Sequence, residues 1–83
     1  MYTVEILPHA EKQLKKLTPD VRRKVAAAIL TLEEDPRPNG CKKLKDRDGY
    51  RIRVGDYRII YEVFDRQLLV SVIELGHRSD VYG

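Results

Sequence analysis

The sequence predicts an α+β domain in the order β-α-α-β-β-β, with a helical hairpin set against an antiparallel sheet. Three observations lead there. Tyr2-Thr3-Val4-Glu5-Ile6 alternates apolar and polar residues as a half-buried strand does, and residues 10–32 place apolar side chains at helical spacing with one break at Thr18-Pro19. Tyr50 to Val63 carries two alternating runs on either side of Gly55-Asp56, which is the sequence form of a β-hairpin. Strand, helices and then strands leave the helices segregated on one face of an antiparallel sheet.

Each element has its own signal. Pro8 closes the first strand, and Ala10, Leu14 and Leu17 then line one side of a short amphipathic helix whose other sides carry Lys12, Lys15 and Lys16. Thr18 is a good N-cap, Pro19 suits the first helical position and Asp20 favours the positive end of the helix dipole. The second helix buries Val21, Val25, Ala28, Ile29 and Leu32, and stops near Asp35 because Pro36 disfavours helical backbone in the residue before it. Pro36-Arg37-Pro38-Asn39-Gly40 is a loop on composition. Lys42 to Lys45, with Leu44 inward, begins the second strand, and Asp46-Arg47-Asp48-Gly49 is a turn or bulge before the hairpin. Asp65-Arg66-Gln67 makes another turn, and Leu68 to Leu75 is a nearly unbroken apolar run of the kind a central, covered strand shows.

The 83 residues allow one domain, residues 1–83, with a core that must use nearly every apolar side chain. Charged residues make up 35% and hydrophobic ones 42%, and no run approaches the roughly 18 apolar residues of a membrane span. Met1 leads straight into the first strand without a signal-peptide pattern, so a cytoplasmic protein is expected. A single cysteine, Cys41, excludes an internal disulfide and any multi-cysteine zinc site. His9 and His77 lack carboxylate neighbours at metal-ligand spacing, so neither a metal nor another cofactor is expected.

Net charge is +3, but its distribution says more than its size. Lys42, Lys43, Lys45, Arg47, Arg51, Arg53 and Arg58 stand against three acids, whereas from Glu62 onward acids outnumber Lys and Arg by four to two. A localised basic surface is the usual footprint of a nucleic-acid backbone, and Lys42, Lys43, Lys45 and Arg47 are candidate RNA contacts. In a two-residue hairpin Val54 faces Tyr57, Arg53 faces Arg58 and Ile52 faces Ile59. Tyr50, Ile52, Val54, Tyr57, Ile59, Tyr61 and Val63 then share a core face, and Arg51, Arg53 and Arg58 share the other. Like charges set opposite in a sheet cost a few tenths to about 1 kcal/mol, a cost that an anionic partner removes.

The Arg-Ile-Arg-Val-Gly-Asp-Tyr-Arg-Ile-Ile-Tyr hairpin, the element order and the closing Gly-His-Arg-Ser-Asp-Val-Tyr together resemble the RelE branch of the RelE/ParE toxin superfamily, whose fold is microbial-ribonuclease-like. The resemblance implies a type II toxin that cleaves messenger RNA in the ribosomal A site, without metal, and is silenced by a RelB-like antitoxin. It assigns Arg51, Arg53, Arg58, Arg78 and Tyr82 to phosphate binding, charge stabilisation and proton transfer. Where better-known members carry lysines this sequence has Arg51 and Arg53, and arginine is a poor general base. His77 either exchanges a proton or is a strand-end residue bonded to backbone. Two other functions fit the scaffold: a ParE-like inhibitor of DNA gyrase, and an RNA-binding module without activity.

Overall fold

The computed structural model describes residues 1–77, in which the chain runs β1 Thr3–Ile6, α1 Pro8–Lys15, α2 Pro19–Thr31, β2 Lys42–Lys43, β3 Tyr50–Val54, β4 Tyr57–Phe64, a 3-10 turn Asp65–Gln67 and β5 Leu69–His77. The strands form one five-stranded sheet in the order β1-β5-β4-β3-β2. The expected α+β plan is observed, with two additions. β1 lies parallel to β5, pairing Thr3 with Leu69 and Ile6 with Val72. Residues 42–43 form a separate antiparallel edge strand on β3, Lys42 opposite Arg51, so residues 44–49 are a tight loop closed by the Leu44 N–H donating to the Gly49 carbonyl at 3.0 Å.

Pro8 opens α1 rather than merely ending β1, because its missing N–H costs nothing at a helix start. Thr18 sits at the N-cap of α2 with Pro19 after it, but its side chain makes no capping hydrogen bond. That helix ends at Thr31, and overlapping turn hydrogen bonds carry the chain on to Asp35.

Both helices pack on one sheet face. Ala10, Val25, Ile29 and Leu32 meet Ile52, Ile59, Tyr61, Val70, Val72 and Leu75, all but fully buried. Burial of such side chains contributes about 1.5–3 kcal/mol each, and the alternation that aims them inward aims their neighbours to the opposite face. Near the end of β5 this alternation shifts. Ile60 pairs with Glu74 but Tyr61 with Val72, which leaves Ile73 as the extra residue of a β-bulge. Beside the bulge, the Leu75 N–H donates to Gln13 Oε1 of α1 at 2.7 Å. The 68–75 run is therefore not a simple strand covered on both sides: Leu68 is an exposed left-handed residue before it, with φ 51°, and the helices cover only one face.

Candidate functional site: the guanidinium face

The hairpin that positions the site depends on a two-residue turn. Gly55 has φ 59° while Asp56 does not enter the positive-φ region, the pattern of a type II′ turn with glycine at its first central position. This turn fixes the register Val54↔Tyr57, Arg53↔Arg58, Ile52↔Ile59 and Arg51↔Ile60, as the sequence predicts. Arg53 and Arg58 thus lie directly opposite, with Cβ atoms about 4.5–5.5 Å apart, and Arg51 lies diagonally from Arg58 at about 7–8 Å. All three leave the sheet on the face away from the helices.

This face is less open than the sequence suggests. Leu44 and Ile60 form a small buried cluster on it, and the 44–49 loop folds over them. Gly49 makes that close packing possible: at φ 145° it approaches β4 so nearly that a Cβ would lie 3.0 Å from the Tyr61 carbonyl. Arg51 is consequently only 6% exposed, and among the described residues its buried Nε has no hydrogen-bond partner. Burial first, and then the charges of Arg53 and Arg58, push its guanidinium below the ordinary arginine value. Leaving a buried donor unpaired costs about 1–3 kcal/mol, so this face holds a destabilised cation that an anion would satisfy.

Two depressions flank Arg51. A notch of about 100 Å³ is lined by Arg53, Gly55, Asp56, Tyr57 and Arg58. A wider cleft of about 550 Å³ is lined by Lys42, Lys45, Arg47 and Arg51, with Lys43, Leu44 and Asp46. Lys42 shares the face of Arg51, its cross-strand partner, whereas Lys43 points to the other side and holds its ammonium 5.4 Å from the Tyr50 ring centroid. His77 pairs with Tyr57, their rings edge to face at 5.7 Å, so it shares the core face and not the guanidinium face. Arg78 and Tyr82 lie outside the described residues. Among the described residues no group of His, Cys, Asp or Glu is arranged to hold a metal ion.

At the far end of the sheet is a constellation that sequence reasoning missed. Arg37 donates through Nη1 and Nη2 to both Asp65 oxygens, at 3.2 and 2.9 Å, and through Nε to the Tyr50 hydroxyl at 3.0 Å. Tyr2 donates to the same Asp65 at 2.6 Å. The Arg37 and Tyr2 hydrogen bonds hold the Asp65 carboxyl below its usual value, and Asp65 and Tyr50 raise that of Arg37. Beneath them Tyr61, its hydroxyl pushed upward by burial, donates to the Pro36 carbonyl at 2.7 Å. Nothing local in Pro-Arg-Pro announces this, because the partners come from residues 2, 50 and 65.

Known proteins share the fold. Residues 4–82 match the family described as ParE toxin of type II toxin-antitoxin system, parDE, and the chain belongs to that family of small toxins. Within it, the named relatives are RelE toxins. The mRNA interferase toxin RelE of Escherichia coli (strain K12) is 32% identical over 85 residues, which span 98% of this chain and 90% of the relative. The toxin in the archaeal RelE-RelB complex from Pyrococcus horikoshii OT3 superposes with a TM-score of 0.83 at 30% identity, covering 96% of this chain and 98% of that one. The intact E. coli RelBE toxin-antitoxin complex gives 0.81 at 30% identity, covering 93% and 96%. No described helix is long and apolar enough to cross a membrane.

Proposed function

We propose that this chain is a ribosome-dependent endoribonuclease that cuts messenger RNA in the A site and so arrests translation in the cytoplasm. The observation that carries the proposal is the guanidinium face itself, three like charges gathered on adjoining strand positions with a buried, unpartnered Nε among them. In the reaction the RNA's own 2′-hydroxyl attacks the adjacent phosphorus in line with the departing 5′-oxygen, and the extra negative charge of the phosphorane is what the enzyme must stabilise. Preorganised guanidiniums do this without reorganising during the step, and their planar forks match phosphate oxygens in pairs. Arg51, Arg53 and Arg58 hold the scissile phosphate; Arg78 stabilises the transition state; Tyr82 stacks on a splayed base or relays a proton. Lys42, Lys45 and Arg47 lead the neighbouring phosphates along the cleft. No metal is needed for this chemistry, and His77, on the opposite face, is given no proton to carry.

A cognate RelB-like antitoxin is the proposed partner, in keeping with the RelB complexes of the structural relatives, and an extended or helical segment of it would cover the guanidinium face. The name of the matching family favours a second reading, inhibition of DNA gyrase by binding. Such binding does not require the hairpin arginines to converge. Arg58→Ala and Arg78→Ala are expected to abolish codon cleavage on translating ribosomes while leaving the thermal transition intact. Unchanged cleavage in both variants, or gyrase inhibition in place of cleavage by the parent protein, refutes the assignment.

A further inference from the structure

The cleavage proposed above leaves one role unfilled, since guanidiniums cannot accept the proton of the attacking 2′-hydroxyl. We propose that Glu74 of β5 accepts it, an inference that rests on the ribonuclease reading and goes beyond it. Cross-strand rows on the guanidinium face show why. One row runs Arg53, Arg58, Gly76, and the next runs Lys42, Arg51, Ile60, Glu74. Gly76 is the cross-strand partner of Arg58 and carries no side chain of its own. Two residues back along β5, Glu74 is the diagonal neighbour of Arg58, with Cβ atoms about 7–8 Å apart. A phosphodiester held by Arg58 and Arg53 over Gly76 has a carboxylate within one side-chain length on the side away from Arg53.

The β-bulge at Ile73 turns Glu74 onto this face, and Glu74 belongs to a strand, whose side-chain position is better fixed than that of a loop. Its side chain is 30% exposed, and its ion pair among the described residues is a long one, Arg47 Nη2 to Oε1 at 3.6 Å. A contact of that length and exposure is worth little and is readily exchanged for substrate. The other carboxylates are placed differently: Asp46 belongs to the loop that lines the cleft beside Arg51. Glu5 accepts the Ser71 hydroxyl at 2.6 Å, Glu62 lines a cavity at the far end of the sheet with Arg37 and Tyr50, and Asp56 is an exposed turn residue at the rim of the notch. The charged groups that share Glu74's face are Arg47 from the loop, Lys42 from β2, Arg51 and Arg53 from β3, Arg58 and Glu62 from β4 and Glu5 from β1.

In the step, the 2′-O–H bond breaks and its proton passes to a Glu74 oxygen. The 2′-oxygen forms a bond to phosphorus, the bond from phosphorus to the 5′-oxygen breaks, and solvent water protonates the departing 5′-oxygen. The products are a 2′,3′-cyclic phosphate and a 5′-hydroxyl. The test is single-turnover cleavage on programmed ribosomes across pH, with Glu74→Gln, Glu74→Asp and Asp56→Asn beside the parent, each checked by thermal melting. Glu74→Gln is expected to slow cleavage at least about 100-fold, the usual size of a general-base contribution, with ribosome binding unchanged and the acidic limb of the pH profile gone. Glu74→Asp keeps the limb at a reduced rate, and serves alone should Glu74→Gln melt abnormally. Cleavage by Glu74→Gln within threefold of the parent, or loss of the limb in Asp56→Asn instead, overturns the assignment while the ribonuclease reading stands. Absence of cleavage by the parent protein overturns both.

Discussion

Arg37 and Arg51 both adjoin Tyr50, Arg37 by a hydrogen bond to its hydroxyl and Arg51 as the next residue of β3, yet they differ in nearly every respect that matters. Arg37, partly open to solvent, meets a carboxylate in two parallel hydrogen bonds and a tyrosine hydroxyl in a third, and its partners raise its affinity for the proton. Arg51 is nearly buried, leaves Nε without a partner among the described residues, and is pushed in the other direction by burial and by its neighbours' charge. The first fastens a loop to the sheet. The second stores unfavourable energy where a ligand can release it. Counting arginines would not separate the two; asking whether each one's charge has been answered does so, and marks the guanidinium face of the hairpin as the working surface.

The sharpest way to break this contrast is to answer the charge on the guanidinium face. Arg53→Glu sets a carboxylate directly opposite Arg58, turning a like-charge pair into an attractive one worth about 0.2–1 kcal/mol. Cleavage on ribosomes should fall at least about 100-fold while the melting temperature holds or rises. Around Arg37 the reverse is expected. Tyr61→Phe strands the buried Pro36 carbonyl and should cost about 1–3 kcal/mol in a urea titration, with the cleavage rate of the folded protein unaltered. Arg51→Met exchanges a buried cation for an apolar chain of similar length. It should gain about 1 kcal/mol, or about 4–8 °C in a domain of this size, and lose activity; a lower melting temperature would show that Arg51 is already satisfied in the free protein.

The smallest effect concerns acid. Asp65 binds its proton less readily folded than unfolded, chiefly through its hydrogen bonds from Arg37 and Tyr2. Its stabilising contribution is therefore present above the unfolded carboxyl's value of 3.8 and disappears as pH falls through the lower folded value. Melting followed from neutral to strongly acidic pH should show a shallower decline in Asp65→Asn than in the parent, with the two differing by no more than a few degrees at neutrality.

The hairpin could be read from the sequence because everything that determines it is local. Gly55-Asp56 fixes the turn, the turn fixes the register, and the register puts Arg51, Arg53 and Arg58 on one face. The helices are similarly plain from Thr18-Pro19 and the spacing of Ala10, Val25, Ile29 and Leu32, although Pro8 reads there as the end of a strand and proves to open α1. What escaped depends on partners distant along the chain. β1 finds β5 across more than sixty residues, as the Glu5 to Ser71 hydrogen bond illustrates, and no property of residues 3–6 announces a parallel neighbour. The burial of Arg51 depends on the 44–49 loop folding back through Leu44 and Gly49, and the Arg37 network on three separate segments. The alternation rule also failed at Ile73, since an apolar run gives no sign of which residue will be skipped.

That skipped residue has a consequence for engineering and for drift alike. Ahead of Ile73 the inner and outer positions of β5 follow one parity, and behind it they follow the other, which is how Leu75 reaches the core and Glu74 and Gly76 reach the outer surface. An in-frame loss of that single codon would leave Val72, Glu74 and Leu75 in plain alternation, keeping every pairing with β4 and both sets of side chains on their present faces. What would be lost is the local bend and added twist of the strand, so a shortened chain that still folds would separate the shape of β5 from its facing.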